Sequence, residues 1–217
     1  MPPSPATTAR IKVEIFEHAA RLFRLRGYAG TTIDDIMLAA GLTRGAFYAH
    51  FESKDDLFGE VIRAGHGLLA KLRGKDAKIR GVLDAYLAKD DLAANALGCT
   101  LAALAGDVAR ASLPAQLAYA NLLHAVIGEL ARGRRRKLDA DATAAAILAI
   151  GALGLARASG DRRLSDWLLR CAQRAARALL APKPPPASPK PKRSRSRPKA
   201  AAARRPKPAA RSRGGRA

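Results

Sequence analysis

The stretch from Thr31 to Lys54 constrains the fold most, because signals for a helix, a turn and a second helix follow at close range. Thr32 is a good N-cap, and Asp35 three residues later completes a capping-box pattern. Apolar residues then recur at helical spacing, at positions 33, 36, 37 and 40. Gly41 follows where a left-handed residue is needed to end a helix. The pattern predicts a short helix and its stop.

A second short helix is predicted from Arg44 to Phe51, with Thr43 as its cap and Leu42 filling the space between the two helices. Helical spacing turns Phe47 and Phe51 inward. The residues left facing outward are Arg44, Gly45, Tyr48 and His50. Two helices joined in this way form a helix-turn-helix, whose second helix fits the major groove of DNA.

The same stretch resembles the N-terminal domain of the tetracycline-repressor (TetR) family of regulators. The resemblance rests on residue types at fixed spacings: Gly27, Thr31, Thr32, Ile36, Ala40, Gly41, Thr43, Gly45, Phe47, Tyr48, His50, Phe51, Lys54 and Leu57. It implies an all-α protein, in which a three-helix DNA-binding domain precedes a helical domain that binds a small ligand and dimerises. Because that second domain diverges widely in the family, the resemblance says less about it.

The resemblance implies which residues face DNA: Thr32, Thr43, Arg44, Gly45, Tyr48, His50 and Lys54. Residue type then suggests roles. Arg44 can make a bidentate contact to guanine, and Gly45 permits a close backbone approach. The ring and hydroxyl of Tyr48 suit a sugar, a phosphate or a thymine methyl, and Thr32, His50 and Lys54 suit phosphates. Asp34 departs from this pattern, because a carboxylate near phosphates weakens binding.

Helices are also predicted on both sides of this motif. One spans Arg10 to Arg26 and ends at Gly27, and residues 1–9 before it are predicted to be disordered. Another begins near Lys54, is capped by Ser53 and runs to Arg73, although Gly65 and Gly67 weaken it. These elements give a DNA-binding domain over residues 8–68.

Residues 69–181 are predicted to form the second domain, with helices near 77–88, 97–110, 114–132, 140–159 and 165–180. Pro114 starts one helix, and Ser165 or Asp166 caps the last. The final two helices resemble the pair that forms the dimer interface in the family. Their small residues would equally suit packing inside one chain, and the resemblance favours a homodimer.

Candidate ligand-pocket residues are Tyr86, Cys99, Leu104, Tyr119 and His124. Trp167 could line the pocket too, and Tyr86, Tyr119, His124 and Trp167 would equally serve as ordinary core with a satisfied polar tip. Cys99 follows Gly98 at a predicted helix start, where a lowered thiol pKa would allow it to sense electrophiles. The alternative, a small apolar core residue, is favoured.

The net charge of +21 is concentrated at one end of the chain. Residues 182–217 hold thirteen Lys or Arg and no acid, whereas residues 1–60 hold seven basic and eight acidic residues. The C-terminal segment is of low complexity and is predicted to be a disordered polycation that contacts nucleic acid. A passive solubilising extension is the alternative. The basic run from Arg132 to Lys137 is predicted to be a solvated helix end, with a nucleic-acid patch as the alternative.

No catalytic, cofactor-binding or metal-binding pattern is apparent, which makes an enzyme remote. Cys99 and Cys171 form no disulfide framework, as expected in a reducing cytosol. The N-terminus lacks the apolar core of a signal peptide. The uncharged stretch from Ala142 to Ala156 is too short to span a bilayer and is predicted to be a buried helix.

These patterns together predict a bacterial transcriptional regulator that is cytoplasmic and associated with the nucleoid. Its predicted form is a homodimeric repressor that binds a palindromic operator in double-stranded DNA and is released by an unknown small-molecule effector. The rival prediction is a histone-like architectural DNA binder, driven by the basic C-terminal segment and without an inducer.

Overall fold

Every regular element is an α-helix in the computed structural model, which describes residues 4–65, 67–74, 78–88, 98–132 and 139–181. The half that contains the predicted helix-turn-helix, called the DNA-facing half after that prediction, consists of α1 (Pro5–Arg26), α2 (Ile33–Ala39), α3 (Arg44–Phe47) and α4 (Lys54–Ala64). The helices of the second half are α5 (Leu68–Leu72), α6 (Ile79–Tyr86), α7 (Thr100–Val108), α8 (Leu113–Leu130), α9 (Ala140–Ala158) and α10 (Arg162–Leu179). The all-α fold class is therefore confirmed.

Helix α1 begins at Pro5 rather than at Arg10, which corrects the prediction of disorder for residues 5–9. The start is local in origin, because the Ser4 side chain accepts a hydrogen bond from the Thr7 N–H and Pro5 occupies the first helical turn. The helix ends at Gly27 (φ +77°), as predicted.

The two helices of the motif are short, and α3 is shorter than predicted. In α2 the Thr32 side chain accepts from the Asp35 N–H while the Asp35 carboxylate accepts from the Thr32 N–H, so the capping box is complete. Gly41 (φ +68°) makes the turn. Helix α3 ends at Phe47, because the next residues form turns in which the N–H groups of His50 and Phe51 share the Phe47 carbonyl.

The predicted single helix from Lys54 to Arg73 is wrong, because it breaks into α4 and α5. Ser53 caps α4 as predicted, but the helix is interrupted at Gly65 (φ +63°) and Gly67 (φ +100°). A Cβ at Gly65 would lie 2.5 Å from Leu122 Cδ1, and one at Gly67 would lie 2.7 Å from the Gly98 carbonyl oxygen. These glycines therefore provide both left-handed turns and close contact.

Helix α10 begins at Arg162, earlier than predicted. Its cap is Asp161, whose carboxylate accepts from the N–H groups of Arg163 and Leu164. Ser165, one of the two predicted caps, is instead buried within the helix and donates to the Ala156 carbonyl at 2.8 Å. The predictions for residues 182–217, for most of the run 132–137 and for residues 77 and 97 lie outside the described residues.

Two hydrophobic cores lie within one compact unit, Met1–Pro182. The first core joins α1–α4 to Leu104 and Val108 of α7 and to Ala115 and Ala118 of α8. The second core is formed by α5–α10 and includes Leu101 of α7. Helix α7 therefore contributes to both cores, and the domain boundary at residues 68 and 69 stays a prediction.

Helix α9 is the one helix in the described part of the chain that is long and apolar enough to cross a membrane. At 19 residues it exceeds the predicted uncharged stretch, so the argument from length does not hold. Seven of its residues are buried, namely Ala142, Ala145, Ala146, Ala149, Ala152, Leu153 and Ala156. Burial in the second core is the feature expected of an internal helix.

Candidate nucleic-acid interface

The residues predicted to read DNA bases lie on the exposed side of α3. Arg44 and Gly45 are exposed at its start, and the Tyr48 side chain is 57% exposed just after its end. Behind them, Phe47 and Phe51 are buried in the first core. The Phe47 ring packs against both Phe51 and Tyr48. The buried aromatic residues therefore fix α3 with its polar face towards solvent.

The predicted residues around this face differ in exposure. Thr32 and Thr43 are exposed at the N-caps of α2 and α3, whereas His50 is half-buried. The Thr43 side chain makes no capping hydrogen bond. Its hydroxyl is thus not committed to the helix start, unlike that of Thr32.

Arg44 is paired across the motif with Asp34 of α2. Its Nη1 donates to Asp34 Oδ2 at 2.8 Å, and both side chains are well exposed. The Tyr48 hydroxyl and then the Asp34 carboxylate raise the pKa of Arg44 above its ordinary value, because both stabilise the cation. Exposed pairs of this kind are weak and are screened by salt, so Arg44 can exchange Asp34 for another acceptor.

Lys54 holds the loop between α1 and α2 in place. Its Nζ donates to the carbonyls of Tyr28 (3.1 Å) and Thr31 (3.0 Å) and lies 4.0 Å from the centre of the Tyr28 ring. An ammonium has three donors, and two are used here. Sequence reasoning assigned Lys54 to phosphate alone, whereas the structure also gives it this internal role.

Tyr28 links the DNA-facing half to the second half, and sequence reasoning missed it. Its N–H donates to Asp107 Oδ1 of α7 at 3.1 Å, and its hydroxyl donates to Asp55 of α4. Burial and then the Asp55 contact raise the pKa of the phenol to about 12. An aromatic residue directly after the Gly27 stop was the available signal, but only the fold brings Asp107 to it.

A second link to α1 comes from α9. Arg157 Nη2 donates to the Arg24 carbonyl at 2.6 Å, near the C-terminal end of α1. The last turn of α1 therefore bonds to α9, and the residue after Gly27 bonds to α7. The position of the motif depends on both helices.

Three of the five predicted ligand-pocket residues come together: Tyr86 and Cys99 are buried in the second core, and Tyr119 packs against it. The Tyr86 hydroxyl donates to Cys99 Sγ at 2.9 Å, and the Tyr119 hydroxyl donates to the Leu101 carbonyl at 2.6 Å. Burial raises the pKa of Tyr86 well above its ordinary value and that of Tyr119 to about 12.

The other two predicted pocket residues lie apart from this group. Leu104 belongs to the first core, and His124 is exposed on α8. A cavity of about 460 Å³ lies between α4, α5 and α8, and none of the five residues lines it. Among the described residues, no group of three His, Cys, Asp or Glu side chains is placed to hold a metal ion.

Residues 15–61, which span most of α1 to α4, match the family model for bacterial regulatory proteins of the tetR family. The DNA-facing half of the chain is therefore a DNA-binding domain of the TetR family. The matched residues include the capping box of α2, the Gly41 turn and all of α3. Membership therefore rests on the DNA-facing half.

Relatives with curated descriptions match over a minor part of their length. The repressor KstR2 of Rhodococcus jostii (strain RHA1) is 39% identical over 80 residues, which cover 36% of this chain and 38% of KstR2. The regulator AcrR of Shigella flexneri is 49% identical over 47 residues, which cover 22% of each chain. Less than two-fifths of either relative is thus spanned.

Solved TetR-family structures extend the likeness to the second half. A regulator from Cytophaga hutchinsonii aligns with a TM-score of 0.62 at 21% identity, covering 81% of this chain and 98% of its own. NemR of E. coli, in its reduced form, aligns with a TM-score of 0.61 at 19% identity, covering 78% and 96%. At these identities the likeness shows the fold alone.

Proposed function

We propose that this TetR-family chain is a homodimeric, sequence-specific transcriptional repressor of the bacterial cytoplasm. It binds a palindromic operator and is released by a small molecule. The observation that carries the proposal is the exposed face of α3, where Arg44 and Tyr48 stand on a helix fixed by buried Phe47 and Phe51. KstR2, one of the relatives, is described as a transcriptional repressor.

Base reading is assigned to α3 because a recognition helix places its first residues against base edges in the major groove. Arg44 is exposed at that end, and a guanine can replace Asp34 as its acceptor. Gly45 has no atom within 4 Å of an added Cβ, so the groove edge can approach the backbone there. Tyr48 supplies a ring and a hydroxyl beside Arg44.

Dimerisation is assigned to α9 and α10, which pack against each other and still expose large apolar side chains. Ile147 and Leu155 are 64% and 61% exposed on α9, and Leu164 and Trp167 are 45% and 55% exposed on α10. Exposed apolar patches of this kind mark association surfaces. A two-fold pairing would place the two α3 helices about 34–36 Å apart, in successive major grooves of a palindrome.

Release by a ligand requires that the second half influence the motif. Helix α7 contributes to both cores, and Asp107 bonds to Tyr28 ahead of α2. A ligand that stabilises one arrangement of the second half would therefore favour one spacing of the two α3 helices. This contact supports the proposal that the repressor is ligand-responsive.

The test uses an operator selected in vitro and a random duplex of the same length. Arg44→Ala should weaken operator binding about tenfold or more and random-duplex binding much less, because it removes a bidentate pairing with a base. Lys54→Ala should weaken both alike and also lower stability, since its two backbone carbonyls lose a donor. Equal losses on both duplexes for Arg44→Ala would remove it from base reading.

The rival function, an architectural binder, depends on the thirteen cations of residues 182–217. A 1–181 truncation separates the two functions. A regulator keeps its operator preference, while the slope of log affinity against log salt flattens by about 0.9 for each phosphate that the protein no longer neutralises. An architectural protein would lose most binding on both duplexes and would show no preference in either form.

A further inference from the structure

We infer that the cavity between α4, α5 and α8 is a binding site for an aliphatic carboxylate, and that this carboxylate is the effector. The role as effector rests on the proposed function. The ligand class is inferred from the chemistry of the cavity alone. The cavity measures about 460 Å³, within the range of about 300–1,000 Å³ that holds small ligands.

The floor of the cavity is apolar. Leu69 of α5 and Leu122 of α8 are buried there, and Leu117 of α8 lines it while remaining 56% exposed. Asn121 adds one amide at the surface. An apolar chain laid along this floor would cover Leu117 and remove apolar surface from water.

The charged groups of the cavity wall are both arginines, Arg63 at the end of α4 and Arg73 just after α5. Arg73 Nε donates to Glu129 Oε1 at 3.2 Å, but Glu129 also accepts from Arg132. Arg132 first, and Arg73 with it, hold the pKa of Glu129 below its ordinary value. One carboxylate thus serves two guanidinium groups.

Arg63 forms no ion pair with any carboxylate in the part of the chain that the structure describes. Its guanidinium lies back over Gly59 of its own helix, where Nη1 would be 3.3 Å from an added Cβ. Glu60, a neighbouring acid on α4, pairs with Lys12 instead. An apolar floor edged by excess positive charge fits a ligand with an apolar chain and one carboxylate.

Because of the position of the cavity, a ligand bound in it could influence the DNA-facing half. Helix α4 carries Leu57, Phe58, Val61 and Ile62 of the first core and ends at Arg63 and Ala64. Gly65 and Gly67 form the break between the two walls that Arg63 and Leu69 provide. A ligand spanning α4, α5 and α8 would therefore favour one angle of α4 against α8.

The test titrates sodium decanoate, below its micellar concentration, into the full-length protein by calorimetry. Decanol and decyltrimethylammonium are the uncharged and cationic comparators. We expect saturable binding of decanoate at one site per chain, with decanol weaker and the cation weakest. Absence of saturable decanoate binding, or equal binding of decanol, would overturn the inference.

Two pairs of variants locate the site. Leu117→Glu places an anion at the mouth of the cavity and should abolish decanoate binding, whereas Leu113→Glu, at an exposed leucine outside the cavity, should not. Arg63→Gln should weaken binding about five- to tenfold, and Arg80→Gln, an exposed arginine of α6, should leave it unchanged. If Arg63→Gln lowers only stability, Arg63 merely offsets the helix dipole and the assignment fails.

Operator binding in the presence of decanoate tests the effector role separately from the proposed repressor function. We expect decanoate to weaken operator binding by the wild type and not by Leu117→Glu. Binding of decanoate without this effect would overturn the effector role and leave the repressor proposal intact. Failure of the ligand-free protein to prefer any operator would instead overturn the proposed function, while calorimetry would still report on the cavity.

Discussion

The DNA-facing half and the second half hold their helices in place by different means. Helices α2 and α3 have only seven and four residues, and polar bonds supplement the burial of Ile36, Met37 and Phe47: the Thr32–Asp35 capping box and the Lys54 bonds to the loop before α2. Helices α8, α9 and α10 have 18, 19 and 18 residues and associate through buried alanine and leucine side chains. The first half is therefore sensitive to single polar atoms, and the second to side-chain volume.

The buried alanine face of α9 shows how side-chain volume controls helix packing in the second half. Ala145, Ala149 and Ala156 are almost fully buried, and small side chains at such positions let helices approach closely. The opposite face keeps Ile147 and Leu155 exposed, with Gly151 between them. The second half thus stabilises itself with one face and offers the other for association.

Gly151→Arg should have the largest effect and tests the second half. The residue is exposed, and an added Cβ would meet no atom within 4 Å, so the monomer should fold. An arginine in the centre of the proposed interface should give monomers by light scattering. It should also weaken operator binding about a hundredfold or more, because two linked sites become one.

Gly128→Arg is the matched control for this prediction. Gly128 lies in α8, is exposed and likewise has no atom within 4 Å of an added Cβ. Both variants should unfold at similar denaturant concentrations, and Gly128→Arg should remain dimeric. A Gly151→Arg protein that stays folded and dimeric would place the interface elsewhere.

Alanine substitutions at two glycines with left-handed backbone conformations allow a turn within the motif to be compared with a contact to the second half. Gly41→Ala, in the turn of the motif, should cost about 1–2 kcal/mol of unfolding free energy, because the backbone is strained but the space is open. Gly65→Ala should cost about 2–4 kcal/mol, since it adds a clash with the buried Leu122 to the same strain. Urea denaturation measures both losses. Equal losses of unfolding free energy would show that Leu122 moves away from an added Cβ without a cost in stability.

Local signals in the sequence predicted the motif well. The Thr32 capping box, the Gly41 turn, the Ser53 cap and the inward Phe47 depend on residues a few positions apart. Each could be inferred from spacing and backbone preference alone.

What could not be predicted depends on contacts between distant residues. Gly65, which ends α4, lies so close to Leu122 that a Cβ would clash, and Lys54 turns inward because the Tyr28 and Thr31 carbonyls lie within reach. The start of α10 was misplaced for a local reason, since Asp161 and Ser165 are both good caps and only burial distinguishes them. The candidate cavity joins Arg63 of α4 to Leu117 of α8, and no spacing within one helix signals it.

The smallest expected effect tests the polar balance of the DNA-facing half. Asp34→Asn removes the carboxylate that holds Arg44 and one negative charge beside the recognition helix. Affinity for a random duplex should rise about two- to fivefold at low salt, because Arg44 becomes available to any phosphate. Operator affinity should rise at least as much, since Arg44 must also leave Asp34 to reach a guanine, and the preference for operator should not fall. The gain should fade at high salt, where charges on the surface are screened.

Glu14→Gln is the matched control, because it removes the same charge from α1, outside α2 and α3. Fluorescence anisotropy on operator and random duplexes across a salt series measures both variants. If Glu14→Gln gives the same gain, net charge alone is responsible and Asp34 has no special relation to Arg44. If Asp34→Asn instead loses operator affinity, the carboxylate orients Arg44 towards the base rather than competing with DNA. The polar bonds of this half would then preorganise the reading residue as well as the helices.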